Sequence, residues 1–356
     1  MNVIRMDLGE VASPPPPEAI IAATRAALAN RARYMSPAGL PELRVALAAW
    51  LQTAMRPVQP DEVVITTGAS GALMSVLMHL RRDGGHVLIP DPGYPAYRRM
   101  AELIGLQTRR YTLRANQDWT PDLVQLRTQL RDEPCALLLT NPSNPTGAVM
   151  DADTLRAVLQ LTAEVNVPVI ADEAYADLYY GTPPTNARQI APAQVYTVLS
   201  FSKTFALSGW RIGAVLAPPD QAAAVASAHF ATLMSAPAPA QYALLACLSV
   251  ADTYLPNLRV RLTVARDQAI ALLKTTPLRC NVPDAGLFCW AATGLPDEQP
   301  LVEALRHAGV LLSPGQAFGP SGAGYVRVMF DVEPSTLHEA VRRLMGVFAS
   351  SAGVPT

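Results

Sequence analysis

A lysine lies between two hydroxyl side chains in the stretch LSFSKTFALSGWRIG, which spans residues 199–213. A lysine amine whose pKa is lowered by burial can attack a carbonyl carbon, so Lys203 is a candidate covalent catalyst. The hydroxyls of Ser200 and Ser202 and the cation of Arg211 have the chemistry of a phosphate-binding site. The competing interpretation is a surface lysine whose apolar stem packs against its neighbours.

A second candidate phosphate site lies in the TTGAS run, which precedes a segment with apolar residues at helical spacing. Ala69 and Ser70 would lie in the first turn of this helix, where unpaired backbone N–H groups point outward. Glycine also occurs in such turns for its geometry alone. The run has neither the dinucleotide fingerprint nor the P-loop spacing, so alone it is weak evidence.

Four further polar side chains lie in or after apolar runs. Asp172, in ADEAY, could hold a proton on a heteroaromatic nitrogen or could cap the next helix. Tyr175 could direct its phenol into the same pocket or pack in the core. Tyr94, in DPGYPAY, could stack on a planar ring or lie exposed in a proline-rich loop. Asn144, in NPSNPTG, is an amide donor in a sharply bent segment, where we predict one cis Asn–Pro bond.

Apolar runs of strand length alternate with helical patterns over residues 63–219. The runs are VVITTG, HVLIPDPGY, QTRRYTL, CALLLTNP, VPVIADEAY, VYTVLSFSK and IGAVLAPP. They predict an α/β fold with a seven-stranded, mostly parallel sheet flanked by helices. Polar groups follow several of these strands, and ligands of such sheets bind at the carboxyl ends, so we expect one pocket there. After about residue 255 the pattern changes to that of a smaller α+β domain.

Composition and charge exclude several classes of protein. The formal net charge is −1, so no basic excess favours nucleic acid or an anionic membrane. The 4 cysteines form no C-x-x-C pair and the 5 histidines show no metal-ligand spacing, so we expect neither a disulfide framework nor a metal. Reduced thiols and the lack of a signal-peptide pattern predict a cytoplasmic protein. Residues 221–251, broken by SAPAPAQ, predict two helices rather than a membrane span.

In this order and spacing, NPSNPTG, ADEAY, SFSKTFALSGWRIG and YVRVMF resemble the class I/II aminotransferases of the aspartate-aminotransferase superfamily. These are fold-type I transferases that use pyridoxal 5′-phosphate (PLP). The resemblance runs from about Leu8 to about Ala349. It implies an N-terminal segment joining the small domain (residues 1–33), a large PLP-binding domain (residues 34–258) and a small C-terminal domain (residues 259–356).

The resemblance also implies a role for each candidate. Lys203 corresponds to the lysine that binds PLP covalently and moves the α-proton of the substrate. Asp172 corresponds to the carboxylate that keeps the pyridine nitrogen protonated, and Tyr94 to the aromatic ring stacked on the cofactor. Asn144 and Tyr175 correspond to donors to its phenolic oxygen. The implied phosphate-binding residues are Ala69, Ser70, Ser200, Ser202 and Arg211.

Three more residues enter through the resemblance. Arg327, in YVRVMF, corresponds to the arginine that binds the substrate α-carboxylate, and by itself would be an ordinary strand-end arginine. Asn144 and Gly9 correspond to further substrate contacts, the latter through its backbone. Tyr34, in RYMSPAGLPELR, corresponds to a tyrosine that reaches the phosphate in a neighbouring subunit. It implies a homodimer with shared active sites.

The implied activity moves an amino group between an L-amino acid and a 2-oxo acid. MSAPAPAQYALLA contains no arginine to read a second carboxylate, so a neutral or aromatic substrate is favoured over a diacid. Relatives usually carry another N-terminal helix that helps to cover the site, and only residues 1–7 precede the LG segment here, so the way the site closes over the substrate stays open. Amino-acid oxidases or deaminases, decarboxylases, lyases and cyclases on this scaffold stay open as alternatives. A dehydrogenase and a PLP-fold regulator are disfavoured, since a G-x-G-x-x-G motif and a basic module are missing.

Overall fold

The computed structural model describes residues 2–351 of the 356-residue chain. The strands are β1 (Ile4–Arg5), β2 (Val63–Thr66), β3 (His86–Asp91), β4 (Gln107–Arg114), β5 (Thr120–Pro121), β6 (Ala136–Thr140), β7 (Val169–Asp172), β8 (Val195–Ser200), β9 (Gly213–Leu216), β10 (Arg279–Cys280), β11 (Phe288–Ala292), β12 (Val310–Leu311), β13 (Ser313–Pro314) and β14 (Tyr325–Met329).

The helices are α1 (Pro17–Leu28), α2 (Pro41–Thr53), α3 (Gly68–Leu80), α4 (Ala96–Leu103), α5 (Leu123–Leu130), α6 (Ala152–Glu164), α7 (Ala187–Ile190), α8 (Phe201–Thr204), α9 (Ala222–Leu233), α10 (Ala238–Leu248), α11 (Ala251–Leu273), α12 (Gln299–His307) and α13 (Pro334–Ser351). Short 3₁₀ turns lie at Pro60–Glu62, Ala115–Gln117, Ser208–Trp210, Gly315–Phe318 and Pro320–Gly322.

A central sheet is the largest in the described residues, with eight strands in the order β2-β9-β8-β7-β6-β3-β4-β5. The strands β4, β3, β6, β7 and β8 are parallel, whereas β9 and β5 run antiparallel to their neighbours. All seven predicted strands are present, and the two-residue β5 adds an eighth at one edge. The central strands are buried along their length, as expected for a parallel sheet covered on both faces.

Local sequence signals explain where several helices begin. The side chain of Asp151 accepts hydrogen bonds from the backbone N–H groups of Asp153 and Thr154 and caps α6. The helices α9 and α10 lie on either side of the SAPAP bend, which confirms two helices in residues 221–251. No helix of residues 2–351 is both long enough and apolar enough to span a membrane.

A second, four-stranded sheet in the order β10-β11-β14-β13 lies in the C-terminal part of the described chain. Its core includes residues of α11, α12 and α13. Ile4, Met6 and Val11 pack into the same core, and β1 pairs in parallel with β12. Residues 4–11 therefore return the N-terminus to the C-terminal sheet.

The predicted segment 1–33 contributes to two cores. Its residues 4–11 belong to the core just described, whereas Ala19 and Ala23 of α1 pack with residues of α2 and α10. Asp331, which is 1% exposed, accepts a hydrogen bond from the backbone N–H of Ala12 and two from the guanidinium of Arg261. These bonds fix the chain just after residues 7–10.

We predict that Leu262→Ala lowers the free energy of unfolding by about 2–5 kcal/mol, because it leaves a cavity in a packed core. Leu262 lies fully buried on α11, the helix that leads into the C-terminal sheet. Val260→Ala on the same helix is the control, because Val260 is 68% exposed and its loss should change stability by less than about 0.5 kcal/mol. Denaturant unfolding of both variants tests this, and equal effects would contradict it.

Candidate active site

A cavity of about 380 Å³ opens at the carboxyl ends of the central strands, within the range of small-molecule sites. Twelve of the thirteen predicted site residues line it, namely Gly9, Ala69, Ser70, Tyr94, Asn144, Asp172, Tyr175, Ser200, Ser202, Lys203, Arg211 and Arg327. Tyr34 does not, and its side chain is 85% exposed. The lining also contains residues that the sequence analysis did not identify, namely Asp7, Leu8, Glu10, Leu73, Tyr97, Thr140, Ala174, Ser208 and Phe288.

Lys203 projects from the short helix α8, directly after β8. Its Nζ donates a hydrogen bond to the carbonyl oxygen of Gly9. Burial lowers the pKa of Lys203 to about 8, and the nearby cations Arg327 and Arg211 act in the same direction, against Glu10. A neutral amine is the form that attacks a carbonyl carbon, so the site makes Lys203 nucleophilic near neutral pH.

One end of the cavity is built to hold an anion. Ala69 and Ser70 lie in the first turn of α3, where the helix dipole and unpaired N–H groups favour negative charge. Four side-chain donors complete this end, namely the hydroxyls of Ser200, Ser202 and Ser208 and the guanidinium of Arg211.

The approach of Arg211 to the start of α3 depends on a glycine. Gly68 has a φ of +69°, and a Cβ there would lie 2.7 Å from Nη2 of Arg211. The backbone N–H of the preceding Thr67 donates to Nε2 of His229, which is fully buried. Burial lowers the pKa of His229, so its imidazole stays neutral and can accept this bond. His229 was not predicted as a site residue, because nothing in its local sequence spacing distinguishes it.

Asp172 lies at the carboxyl end of β7, and its side chain is buried. One carboxylate oxygen accepts a hydrogen bond from the backbone N–H of Ala174 at 3.1 Å, and the other from the hydroxyl of Tyr97 at 2.7 Å. Burial raises the pKa of Asp172, while both hydrogen bonds lower it. The carboxylate therefore has fixed donors on both oxygens in a region of low polarity.

The guanidinium of Arg327 is held from several sides. It donates to Oδ1 of Asn144 at 2.8 Å and to the carbonyl oxygen of Asp7 at 2.6 Å. It also lies 3.9 Å from the centre of the Phe288 ring. Arg327 is only 7% exposed, and its buried Nε has no hydrogen-bond partner. A buried cation with an unsatisfied donor has the capacity to bind a carboxylate.

Two further predicted residues lie beside this guanidinium. A Cβ at Gly9 would lie 2.5 Å from Cζ of Phe288 and 3.3 Å from the hydroxyl of Tyr175, so only glycine allows this close approach. Oδ1 of Asn144 is engaged by Arg327, so the group that its amide can offer to a ligand is the donor Nδ2. The peptide bond Asn141–Pro142 is cis, which confirms the prediction for this loop.

The aromatic rings at the site pack edge to face. Tyr94 lies in the loop after β3, and its ring contacts that of Tyr97 at 5.4 Å between centroids. Tyr175 contacts Phe288 in the same way at 5.7 Å. Burial raises the pKa values of Tyr94 and Tyr175, so both phenols stay protonated and can donate hydrogen bonds.

The residues present fit PLP. The cavity combines an anion-binding end, a lysine with a lowered pKa and a buried carboxylate, which match a phosphate, a carbonyl carbon and a pyridine nitrogen. Residues 2–351 contain no cluster of three or more His, Cys, Asp and Glu side chains that could hold a metal ion.

We predict that PLP trapped with borohydride labels Lys203 and not Lys274, the other lysine of the chain. Labelling should rise with pH through a midpoint at about 8, because the neutral fraction of a buried amine grows above its own pKa. Peptide mapping across a pH series measures this, and Lys274→Arg serves as the control that should label normally. Labelling of Lys274, or a midpoint near the ordinary lysine value of 10.5, would contradict the prediction.

Comparison with known proteins agrees with this chemistry. A family model described as aminotransferase class I and II matches residues 1–344. The chain is 28% identical over 353 residues to an aspartate/prephenate aminotransferase of Thermus thermophilus, and the match covers 98% of this chain and 91% of the relative.

Two solved structures have the same fold over nearly the whole chain. An aspartate aminotransferase from Thermus thermophilus with maleate has a TM-score of 0.92 at 28% identity, covering 97% of this chain and 92% of its own. An alanine aminotransferase from Pyrococcus furiosus has a TM-score of 0.92 at 27% identity, covering 98% and 93%. The predictions of fold, cofactor and activity are thereby confirmed. The chain belongs to the class I and II aminotransferase family and is a PLP-dependent aminotransferase.

Proposed function

We propose that this aminotransferase acts on L-amino acids with a neutral or aromatic side chain and on the corresponding 2-oxo acids. The observation that carries this proposal is the charge of the cavity lining. Its cations are Lys203, Arg211 and Arg327, and each has a role in the reaction common to all substrates. Among the described lining residues no further cation is left for a second substrate carboxylate, whereas Asp7 and Glu10 would oppose one.

Different side chains would hold different parts of the cofactor. When bound, PLP supplies an electrophilic carbonyl carbon and a ring that withdraws electrons from the substrate. The first turn of α3, the three serine hydroxyls and Arg211 would hold its phosphate. Asp172 would accept the N–H of the ring nitrogen, and Tyr94 would stack on the ring. Tyr175 and Asn144 would donate to the phenolic oxygen, which fixes the orientation of the ring.

The substrate would be held by Arg327 and the groups around it. Arg327 would bind the α-carboxylate, supported by Asn144 and the backbone of Gly9. Lys203 would then take the proton from the α-carbon of the substrate. It would give this proton up again as the amino group is transferred. A neutral Lys203 is required for the first of these transfers, which agrees with its lowered pKa of about 8.

We propose that the active form is a homodimer with shared active sites. Tyr34 is exposed and lies outside the cavity of its own chain, so its phenol is available to a second subunit. The backbone N–H of the adjacent Met35 donates to Ser235, next to the partly exposed apolar side chains of Leu233 and Met234. An apolar surface beside the cavity supports association at this face.

We also propose a cytoplasmic protein with a large PLP-binding domain (residues 34–258), to which a smaller domain is connected. The four cysteines are all free thiols, which is the usual state in a reducing compartment. Four cores support the division, one under the C-terminal sheet and three on the faces of the central sheet. Arg327 and Lys203 lie on different sides of that division, so a relative movement of the two parts would change the width of the cavity.

We predict that the catalytic efficiency, kcat/KM, is at least about 10-fold higher for L-alanine or L-phenylalanine than for L-aspartate, the factor expected from one unpaired charge. Purified enzyme is mixed with each amino acid without oxygen, then with a 2-oxo acid, and the visible absorption is followed. A preference for L-aspartate would overturn the substrate proposal. A reaction that proceeds only with oxygen uptake would indicate an oxidase instead.

We predict that Arg327→Ala raises KM for α-amino acids about 100-fold, because a bidentate charged contact is lost. The rate with a simple primary amine, which has no carboxylate, should change far less. Arg279→Ala is the control, since Arg279 is an exposed arginine of the same sheet. Steady-state kinetics on both substrates measure the difference. An equal loss for amine and amino acid would show that Arg327 does not bind the carboxylate.

A further inference from the structure

Tyr97 is buried beneath the active site and was not identified from the sequence. It lies on α4, in the same turn of chain as Tyr94, and is 1% exposed. Its hydroxyl lies 2.7 Å from Oδ2 of Asp172 and 2.8 Å from Oγ1 of Thr140. A buried phenol with two polar neighbours, one of them a carboxylate, has a more specific environment than core packing requires.

The direction of these hydrogen bonds follows from the number of protons. A phenol has one O–H, and Asp172 as a carboxylate can only accept. Tyr97 therefore donates to Asp172, and its oxygen is left to accept from the hydroxyl of Thr140. The result is a chain of donors from Thr140 through Tyr97 to the carboxylate. Hydrogen bonds in such a chain polarise one another, so each strengthens the next.

The sheet places the first and last members of this chain side by side. Thr140 ends β6 and Asp172 ends β7, and the two residues are direct partners in the parallel register. Tyr97 reaches both from α4, which packs on the neighbouring strands β3 and β4. The contact is therefore fixed by rigid elements and not by a mobile loop.

The electrostatic surroundings of Asp172 make the hydrogen bond from Tyr97 important. The titratable groups that face it are the tyrosines Tyr94, Tyr97 and Tyr175. Burial raises the pKa of Asp172, and the hydrogen bonds that oppose this come from Tyr97 and the backbone N–H of Ala174. A phenol whose own pKa is raised by burial keeps its proton at every pH where the enzyme works, so it donates without interruption.

We propose that Tyr97 is a positioning residue that keeps the carboxylate of Asp172 ionised and aimed at the ring nitrogen of PLP. The proposal rests on the proposed role of Asp172. Without the phenol hydroxyl, the carboxylate loses a fixed donor and becomes more basic. The proton between Asp172 and the ring nitrogen then moves toward the carboxylate, and the ring withdraws electrons less strongly.

The test is Tyr97→Phe, which removes the hydroxyl and keeps the ring that packs against Tyr94. Tyr111→Phe is the matched control, because Tyr111 is also 1% exposed and its hydroxyl donates to the backbone oxygen of Leu138, outside the cavity. Thr140→Val is a second variant that removes only the first donor. It should give a smaller effect in the same direction, and it tests the proposal if Tyr97→Phe folds poorly.

Two measurements report on the ring nitrogen directly. In PLP labelled with ¹⁵N at the ring, the nitrogen chemical shift should move toward the unprotonated value in Tyr97→Phe and stay unchanged in Tyr111→Phe. The pH midpoint of the visible absorption of bound cofactor should rise by about one unit, because the cofactor-linked nitrogen of Lys203 loses a nearby positive charge. We expect kcat to fall about 10-fold with little change in KM, since Arg327 is untouched.

The variant Asp172→Asn distinguishes a failure of the role inferred for Tyr97 from a failure of the role proposed for Asp172. If Asp172→Asn shifts the ¹⁵N signal and Tyr97→Phe and Thr140→Val do not, the inference about Tyr97 is overturned and the role of Asp172 stands. If Asp172→Asn itself leaves the signal unchanged, the proposed role of Asp172 fails. Equal losses in Tyr97→Phe and Tyr111→Phe, without any spectral shift, would reduce Tyr97 to a structural residue.

Discussion

The guanidinium of Arg327 connects three parts of the chain that are far apart in the sequence. It belongs to strand β14 of the C-terminal sheet, and it donates to the amide of Asn144 in the loop after β6 and to the backbone of Asp7 near the N-terminus. Phe288 covers one face of the planar group. Arg327 therefore connects three segments that all line the cavity.

Burial has opposite consequences for the groups of the site. The same exclusion of water that lowers the pKa of Lys203 raises that of Asp172, so burial disfavours the charged form of both groups. Hydrogen bonds and neighbouring charges act in addition to burial. Asp172 receives two donors, which favour the ionised form, whereas Lys203 faces two arginines, which favour the neutral amine. One cavity thus holds an amine with a lowered pKa and a carboxylate whose ionised form is stabilised by two hydrogen bonds.

The parallel sheet explains why these groups meet. Strands β6, β7 and β8 end at the same edge, and Thr140, Asp172 and Ser200 are their last residues. Each chain segment that follows a strand brings one further group to that edge, including Asn144 and Lys203. The anion-binding end is added by α3, whose start lies against Arg211 because Gly68 has no side chain. A few turns therefore suffice to assemble the site on a rigid body.

The sequence by itself determined the family, the strand order along the chain and the residues carried by motifs, because strands, turns and PLP-binding motifs are local in the sequence. It also marked Asp172 and Lys203 correctly as members of one pocket, since polar groups follow parallel strands there. It did not reveal Tyr97, Phe288 or His229. Each of them acts across a long sequence separation, as in the contact between Tyr97 and Asp172, and an aromatic or histidine in a helix or strand has no local pattern that distinguishes it from core. Tyr97 is placed by the packing of α4 on β3 and β4, His229 by the packing of α9 on α3 and β2, and Phe288 by the pairing of β11 with β14. Only the tertiary structure decided these placements.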